Sequence, residues 1–308
     1  MKTFANLRNN PMTSLRDITV ENLARLGGHS YIMIMDLGPP PLQLPACIVA
    51  AVMYLHRYGR NYPRLFIECK DLKAAIDMYD GWAEHVHEAR KLQDQIDLTM
   101  RVISMPRLSE GTAPVLSVAW ALKAVLAGLP NGILGSVRLY QILRDLFYAS
   151  IPETTALEIP KCLRGVNIVI AIRTQLIALA VIALTTEMQR DLICTVFGLI
   201  DYLVNPDVSD SAGSTQSGLE RQRSTETKSR PRSHHTGTKP RRSVAPLNYQ
   251  ELVPVFAPLL LGQQSRRKLG MEQCLEETRV ATLLIEHWHN VNRQLRSWSR
   301  DTYVPGRE

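Results

Sequence analysis

Between Ser117 and Leu134 the chain reads SVAWALKAVLAGLPNGIL, and no other run constrains the fold as much. Val118, Leu122, Val125, Leu126 and Leu129 recur at three- and four-residue steps, which is the spacing of an apolar stripe on a helix. Pro130 and Gly132 end that helix abruptly, because proline lacks the amide that the next turn needs. Lys123 interrupts the run. Taken by itself it reads as an ammonium on the outer face, or as one that snorkels past its neighbours to water.

The rest of the chain can be arranged around this helix. A helical pattern runs from Pro45 through Ile48, Val49, Val52, Met53 and Leu55 to Gly59, a glycine placed as a C-terminal stop. Further helices are expected from Leu72 to His87, Glu88 to Asp94, Val137 to Tyr148, Ile159 to Ala183 and Glu187 to Val204. Order continues with LNYQELVPVFAPLLLG and a last amphipathic helix from Met271 to Trp298, where Trp288, Leu295 and Trp298 pack inward. No strand alternation of any length occurs, so the expected class is all-α. Residues 1–43 are weakly patterned and read as a lead-in that closes on the stiff, extended Gly38-Pro39-Pro40-Pro41. Residues 44–300 form the helical domain and 301–308 a tail.

Charge is uneven. Of the net +7, residues 209–245 hold eight Lys/Arg against three acids, or +5, which leaves +2 elsewhere. The globular part is therefore not a strongly basic surface, a nucleic-acid role would rest on the loop alone, and no nucleic-acid partner is expected. Residues 207–246 are Ser/Thr-rich and nearly without large apolar side chains, so they are expected to be a disordered insertion. Such a basic segment is a candidate for contact with an anionic membrane or, at Arg230-Pro231-Arg232-Ser233 and Arg241-Arg242-Ser243, with a kinase. Val166–Leu184 is long and apolar, but Arg173 and Gln175 at its centre favour a core helix over a membrane span. The first thirty residues lack the apolar stretch of a secretory signal. Cys47, Cys69, Cys162, Cys194 and Cys274 have no metal or redox spacing and read as reduced thiols of a cytoplasmic protein. His85/His87 and His287/His289 are two residues apart, which puts them on different helix faces. No cofactor, metal or phosphate-cradling glycine loop is expected, and no catalytic triad can be defended.

Four blocks, in order, resemble the Rho GTPase-activating-protein domain, an all-α fold. They are LPACIVAAVMYLHRYG (44–59), RLFIECK (64–70), ALKAVLAGLPNGI (121–133) with the Leu139-Tyr140 helix after it, and ELVPVFAPLLL (251–261). The resemblance spans about residues 44–290 and implies a RhoGAP-like helical bundle that engages a Rho-family small GTPase. Members of that family insert an arginine into the GTPase pocket, where its guanidinium stabilises the transition state and is worth roughly 10³–10⁵ in rate. The aligned position here is Ile67, which has neither charge nor donor. The supporting asparagine aligns with Glu251, and the basic–acidic pair of the central helix aligns with Ala127 and Gly128. The family lysine and proline stand at Lys123 and Pro258. The resemblance thus puts Lys123 in a partner-facing pocket, with Glu251, Pro258 and Arg64 as further GTPase-binding residues.

Two readings follow. One is a binding module with weak or no activation, its finger lost at Ile67. The other is a working activator that uses Arg64, three residues earlier; in an extended loop that is about 10 Å away and needs a register shift. A third reading is a scaffold or membrane-surface binder acting through the insertion. In each case the hydrolytic chemistry belongs to the partner, so the chain itself is not an enzyme.

Overall fold

A computed structural model describes residues 15–62, 64–91, 112–148, 168–205, 247–262 and 271–302. The polar insertion 207–246, the expected helical residues 92–94 and 159–167, Cys162 and the tail 303–308 lie outside the described residues. Among the described residues nine α-helices run in chain order: α1 Val20–Gly27, α2 Ala46–Tyr58, α3 Leu72–Lys91, α4 Thr112–Gly128, α5 Val137–Tyr148, α6 Ile168–Leu184, α7 Glu187–Val204, α8 Tyr249–Phe256 and α9 Met271–Thr302. Single 3-10 turns follow α2 (Gly59–Asn61) and α8 (Ala257–Leu259).

The helical class holds, with one correction. Strand β1, His29–Ile32, pairs antiparallel with β2, Leu42–Pro45, so that His29 faces Pro45 and Ile32 faces Leu42. From Leu15 onward the lead-in is packed into the domain. Leu15, Val20, Leu23, Leu26, Ile32, Leu37 and Leu42 are all buried in the common core. Four-residue strands are too short to show an alternating pattern, which is why the sequence conceals them. The hairpin is pinned from outside: Asp191 of α7 accepts the Gln43 amide at 2.8 Å, and burial pushes that carboxyl up to about 6.

The organising helix differs from expectation in an informative way. From Val115 to Leu126 every α4 residue except Trp120 is buried, so α4 runs through the middle of the domain with no solvent face. It packs chiefly on α2 and α3. The stripe seen in sequence marks only one of its covered sides. After Pro130 the chain turns through Gly132 (φ 66°), and Ile133 and Leu134 donate their amides to Leu259 and Leu260 at 2.8 and 3.1 Å. A Cβ at Gly132 would stand 2.6 Å from the Leu261 carbonyl carbon, so both the turn and its closeness demand glycine.

Other boundaries shift modestly. Residues 72–91 are one helix rather than two, opened by Asp71, whose carboxylate accepts the Ala74 amide at 2.9 Å. Gly59 caps α2 in an ordinary right-handed conformation, packed between Leu65 and Leu203. No described helix is long and apolar enough to cross a membrane. Trp288 and Leu295 are buried, and Trp298 packs partly against the core. Sequence places each cysteine in an apolar context; Cys47 and Cys194 are indeed buried, but Cys69 is only half-buried and Cys274 is exposed.

Two glycines on helices make opposite predictions. Gly81 of α3 has open space where a Cβ would go, so Gly81→Ala is expected to stabilise the fold by about 1 kcal/mol through helix propensity. Gly198 of α7 lies against the Leu37 backbone, with a Cβ position only 2.6 Å from Leu37 Cα. Gly198→Ala must push two backbones apart and is expected to cost about 2–3 kcal/mol, reversing the propensity rule. Urea denaturation of both variants checks the pair, and equal signs would contradict this packing.

Candidate functional site

The loop between α2 and α3 is a compact turn. Leu65 donates its amide to Tyr62 at 3.2 Å, and the Arg64 carbonyl accepts both Ile67 and Glu68, at 3.0 and 3.1 Å. Leu65 and Phe66 are fully buried, Ile67 is half-buried, and Arg64 points outward. The sequence reads Leu65-Phe66-Ile67 as an apolar plug under the loop; in the structure Leu65 and Phe66 form it and Ile67 belongs to it only in part. The extended geometry assumed for Arg64 is wrong as well. In a single helical turn, residues three or four apart are neighbours at about 5–6 Å rather than 10 Å. Arg64 thus stands on the same small turn as Ile67, with its guanidinium paired to Glu68 at 2.8 Å. Both partners are exposed, so the pair is a weak restraint.

Lys123 neither faces water nor snorkels. It is buried in α4, and its ammonium donates a hydrogen bond to the backbone carbonyl of Phe66. Burial pushes its pKa down to about 8, with the Cys69 thiol acting in the other direction. Cys69 is itself raised, first by burial, while Lys123 and the Ser117 hydroxyl pull it back. Ser117 also donates to the Asp71 carbonyl at 2.9 Å. Two α4 side chains, Ser117 and Lys123, therefore grip the loop at both ends of the stretch 66–71. The opposite wall is α8, where Phe66 meets Phe256 edge to face at 5.1 Å between ring centroids.

Glu251 sits on the exposed first turn of α8, and Pro258 is half-buried in the 3-10 turn beyond it. Along the axis Glu251 lies about 7.5 Å before Phe256. Leu252, Val253 and Phe256 form the inward face of this helix, and Glu251 is a surface acid. At Gly128 the carbonyl accepts the Asp17 amide at 2.9 Å, and a Cβ would stand 3.3 Å from the Leu15 carbonyl. The N-terminal segment thus covers the place where the resemblance would put an acidic side chain. This explains the glycine.

Ser117, Asp71 and Phe256 carry no signal that sequence reasoning picked up as part of a site, and Phe66 is legible in sequence only as an apolar plug. Only Asp71, an acid just before a helical pattern, carried a readable cap signal. The Phe66 contribution is a backbone carbonyl, which no side-chain pattern encodes. Among the described residues no group of three His, Cys, Asp or Glu is placed to hold a metal. His289 instead pairs with Asp201 at 3.2 Å. A cleft of about 360 Å³ opens elsewhere, between the starts of α1 and α7 and the turn after α4. There the Thr186 hydroxyl donates to Glu21 at 2.8 Å, and the 64–71 loop takes no part.

No protein-family model matches the sequence, and no curated protein matches it either.

Proposed function

We propose that this is a RhoGAP-like domain that binds a Rho-family small GTPase in cytoplasmic signalling and activates it weakly or not at all. One observation supports the reading above the rest. Three of the blocks that carry the resemblance lie far apart in sequence, yet they meet at one point through Lys123, Phe66 and Phe256. A loop gripped from below by a buried lysine and backed by an aromatic pair is a stiff presenting element. Its outer side chains are Arg64, Ile67, Glu68 and Lys70.

Such a turn can dock on a partner. To accelerate hydrolysis it must place a guanidinium beside the transferring phosphate. Ile67 cannot do that. Arg64 is near enough for a second reading, because the turn brings it beside Ile67 and its Glu68 pairing is a weak restraint. Glu251 and Glu68 add negative charge that opposes approach to phosphates.

Single-turnover GTP hydrolysis with a panel of Rho-type GTPases, together with direct binding, tests both readings. Binding without acceleration, unchanged by Arg64→Ala, is the expected result. Acceleration lost in Arg64→Ala would replace it with the displaced-finger activator. Absence of binding to every GTPase in its triphosphate and diphosphate forms would overturn the assignment.

A further inference from the structure

His56, in the last turn of α2, stacks on the ring of Tyr202 in α7, with 3.9 Å between ring centroids and 21° between planes. The Arg60 guanidinium lies 3.8 Å from the centroid of the same ring, and its Nε donates to the Tyr202 carbonyl at 3.4 Å. Two groups in van der Waals contact with one centroid would overlap on a single face, so the phenol ring is clasped between imidazole and guanidinium. Arg60 belongs to the turn Gly59–Asn61, which leads directly into the 64–71 loop. The clasp is therefore the upstream anchor of that loop, as Ser117 and Lys123 are its inner one.

Inside the clasp the His56 Nε2 is buried and meets no hydrogen-bond partner among the described residues. A neutral imidazole can stack in such a place as an aromatic surface. An imidazolium cannot, because both of its nitrogens donate and its charge needs solvation or a counter-charge. Burial holds this imidazole below its ordinary range; Asp36, between β1 and β2, pulls it back, and Arg60 pushes it further down. The other charges of the cluster are engaged elsewhere. Asp201 of α7 is taken by His289 of α9 and by Asn205, Arg296 of α9 reaches the Met35 carbonyl, and Arg57 lies over the Tyr58 ring.

We propose that His56 is an acid-sensitive latch: neutral, it clasps Tyr202 and holds the turn 59–61 against α7; protonated, it leaves the ring and frees the loop that follows. Below the ordinary histidine pKa of about 6.5 the opened form takes up a proton that the latched form refuses, so acid favours opening. Latching is complete above that value and weakens as pH falls. The opening constant grows by up to about tenfold per pH unit until the latched form protonates as well. The latch concerns the order of the loop, whatever docks on it.

Hydrogen exchange of the full chain, read by mass spectrometry between pH 7.5 and 5.0 and corrected for the intrinsic rate, tests the latch. Residues 56–71 should open up to about tenfold more often at pH 5.5 than at pH 6.5, with α4 changing less. His56→Phe keeps a ring on Tyr202 and has nothing to protonate, so the response should vanish. His289→Gln removes the other imidazole of the cluster and should leave the response intact. In the parent, the His56 imidazole, assigned by NMR through its contact with the Tyr202 ring, should titrate below the ordinary histidine range; this measurement decides alone if His56→Phe fails to fold. Four results would each overturn the latch: a loop no more open at pH 5.5 than at 7.5, a response that survives His56→Phe, one that disappears in His289→Gln, and an imidazole that titrates in or above the ordinary range.

Discussion

Under the proposed docking on a Rho-type GTPase, Ile67→Arg is expected to convert binding into activation, raising single-turnover GTP hydrolysis by about one to three powers of ten. The turn already supplies most of what a finger needs. Its backbone is closed by the Tyr62–Leu65 and Arg64–Glu68 hydrogen bonds, and the Phe66 carbonyl is fixed by Lys123, so a new guanidinium at the half-buried position 67 starts from an ordered base. Preorganisation of this sort is what makes a positioned charge effective, since little reorganisation is left for the moment of reaction. The full effect of a finger, roughly 4–7 kcal/mol of barrier, is not expected, because Ala127 supplies no second cation and Glu68 competes for the new arginine. Adding Glu68→Gln to Ile67→Arg should raise the rate further. If Ile67→Arg binds the GTPase as the parent does and the rate stays flat, the loop does not face the nucleotide and the docking geometry is wrong.

The second large effect concerns Lys123. Lys123→Ala removes a buried stem and leaves the Phe66 carbonyl unpaired, so a loss of about 2–4 kcal/mol is expected at pH 7. Lys123→Met separates charge from packing. It fills the same space but donates nothing, so it relieves the cost of burying an ammonium while orphaning one carbonyl, and it should lie within about 1 kcal/mol of the parent at pH 7. The two variants should share one trait: faster amide exchange across residues 64–71, where the grip from α4 is lost.

The pH dependence of this lysine has a definite sign. Its folded pKa is lowered to about 8 from 10.5, so between these values the unfolded chain holds a proton that the folded chain has released. Stability rises with pH wherever the unfolded state binds more protons. The penalty for the buried charge is therefore fully present below pH 8 and is relieved as pH climbs toward 10.5, by roughly 3 kcal/mol in all. Urea titrations at pH 7.5 and 10 should show the parent gaining on Lys123→Met over this interval. A constant difference between the two proteins would mean that the ammonium is not buried as described.

Much of the architecture was legible before any coordinates. α2, α5, α7 and α9 begin and end within a few residues of their apolar periodicity, because burying one side of a helix writes a 3.6-residue rhythm into the chain. The abrupt end of α4 was written just as plainly by Pro130, whose missing amide acts locally. The central apolar run and the lysine that interrupts it are both plain in the sequence. Both facts are properties of neighbouring side chains.

What tertiary structure decided depends on atoms that sequence does not distinguish. Lys123 looked like a surface or partner-facing charge because its acceptor, the Phe66 carbonyl, is a backbone group that every residue carries. Gly198 and Gly81 are the same letter on two helices, yet only one has the Leu37 backbone against it. The hairpin of Leu42–Pro45 stayed hidden because four residues bear too little pattern, and its register is held by Asp191, 148 positions away from Gln43. For α6 the sequence showed a largely apolar segment interrupted by Arg173 and Gln175, and only packing against α5 and α9 selected which side remains open. Short-range propensity and periodicity fix which segments are helical; long-range backbone contacts and the order of packing fix which groups are left to act.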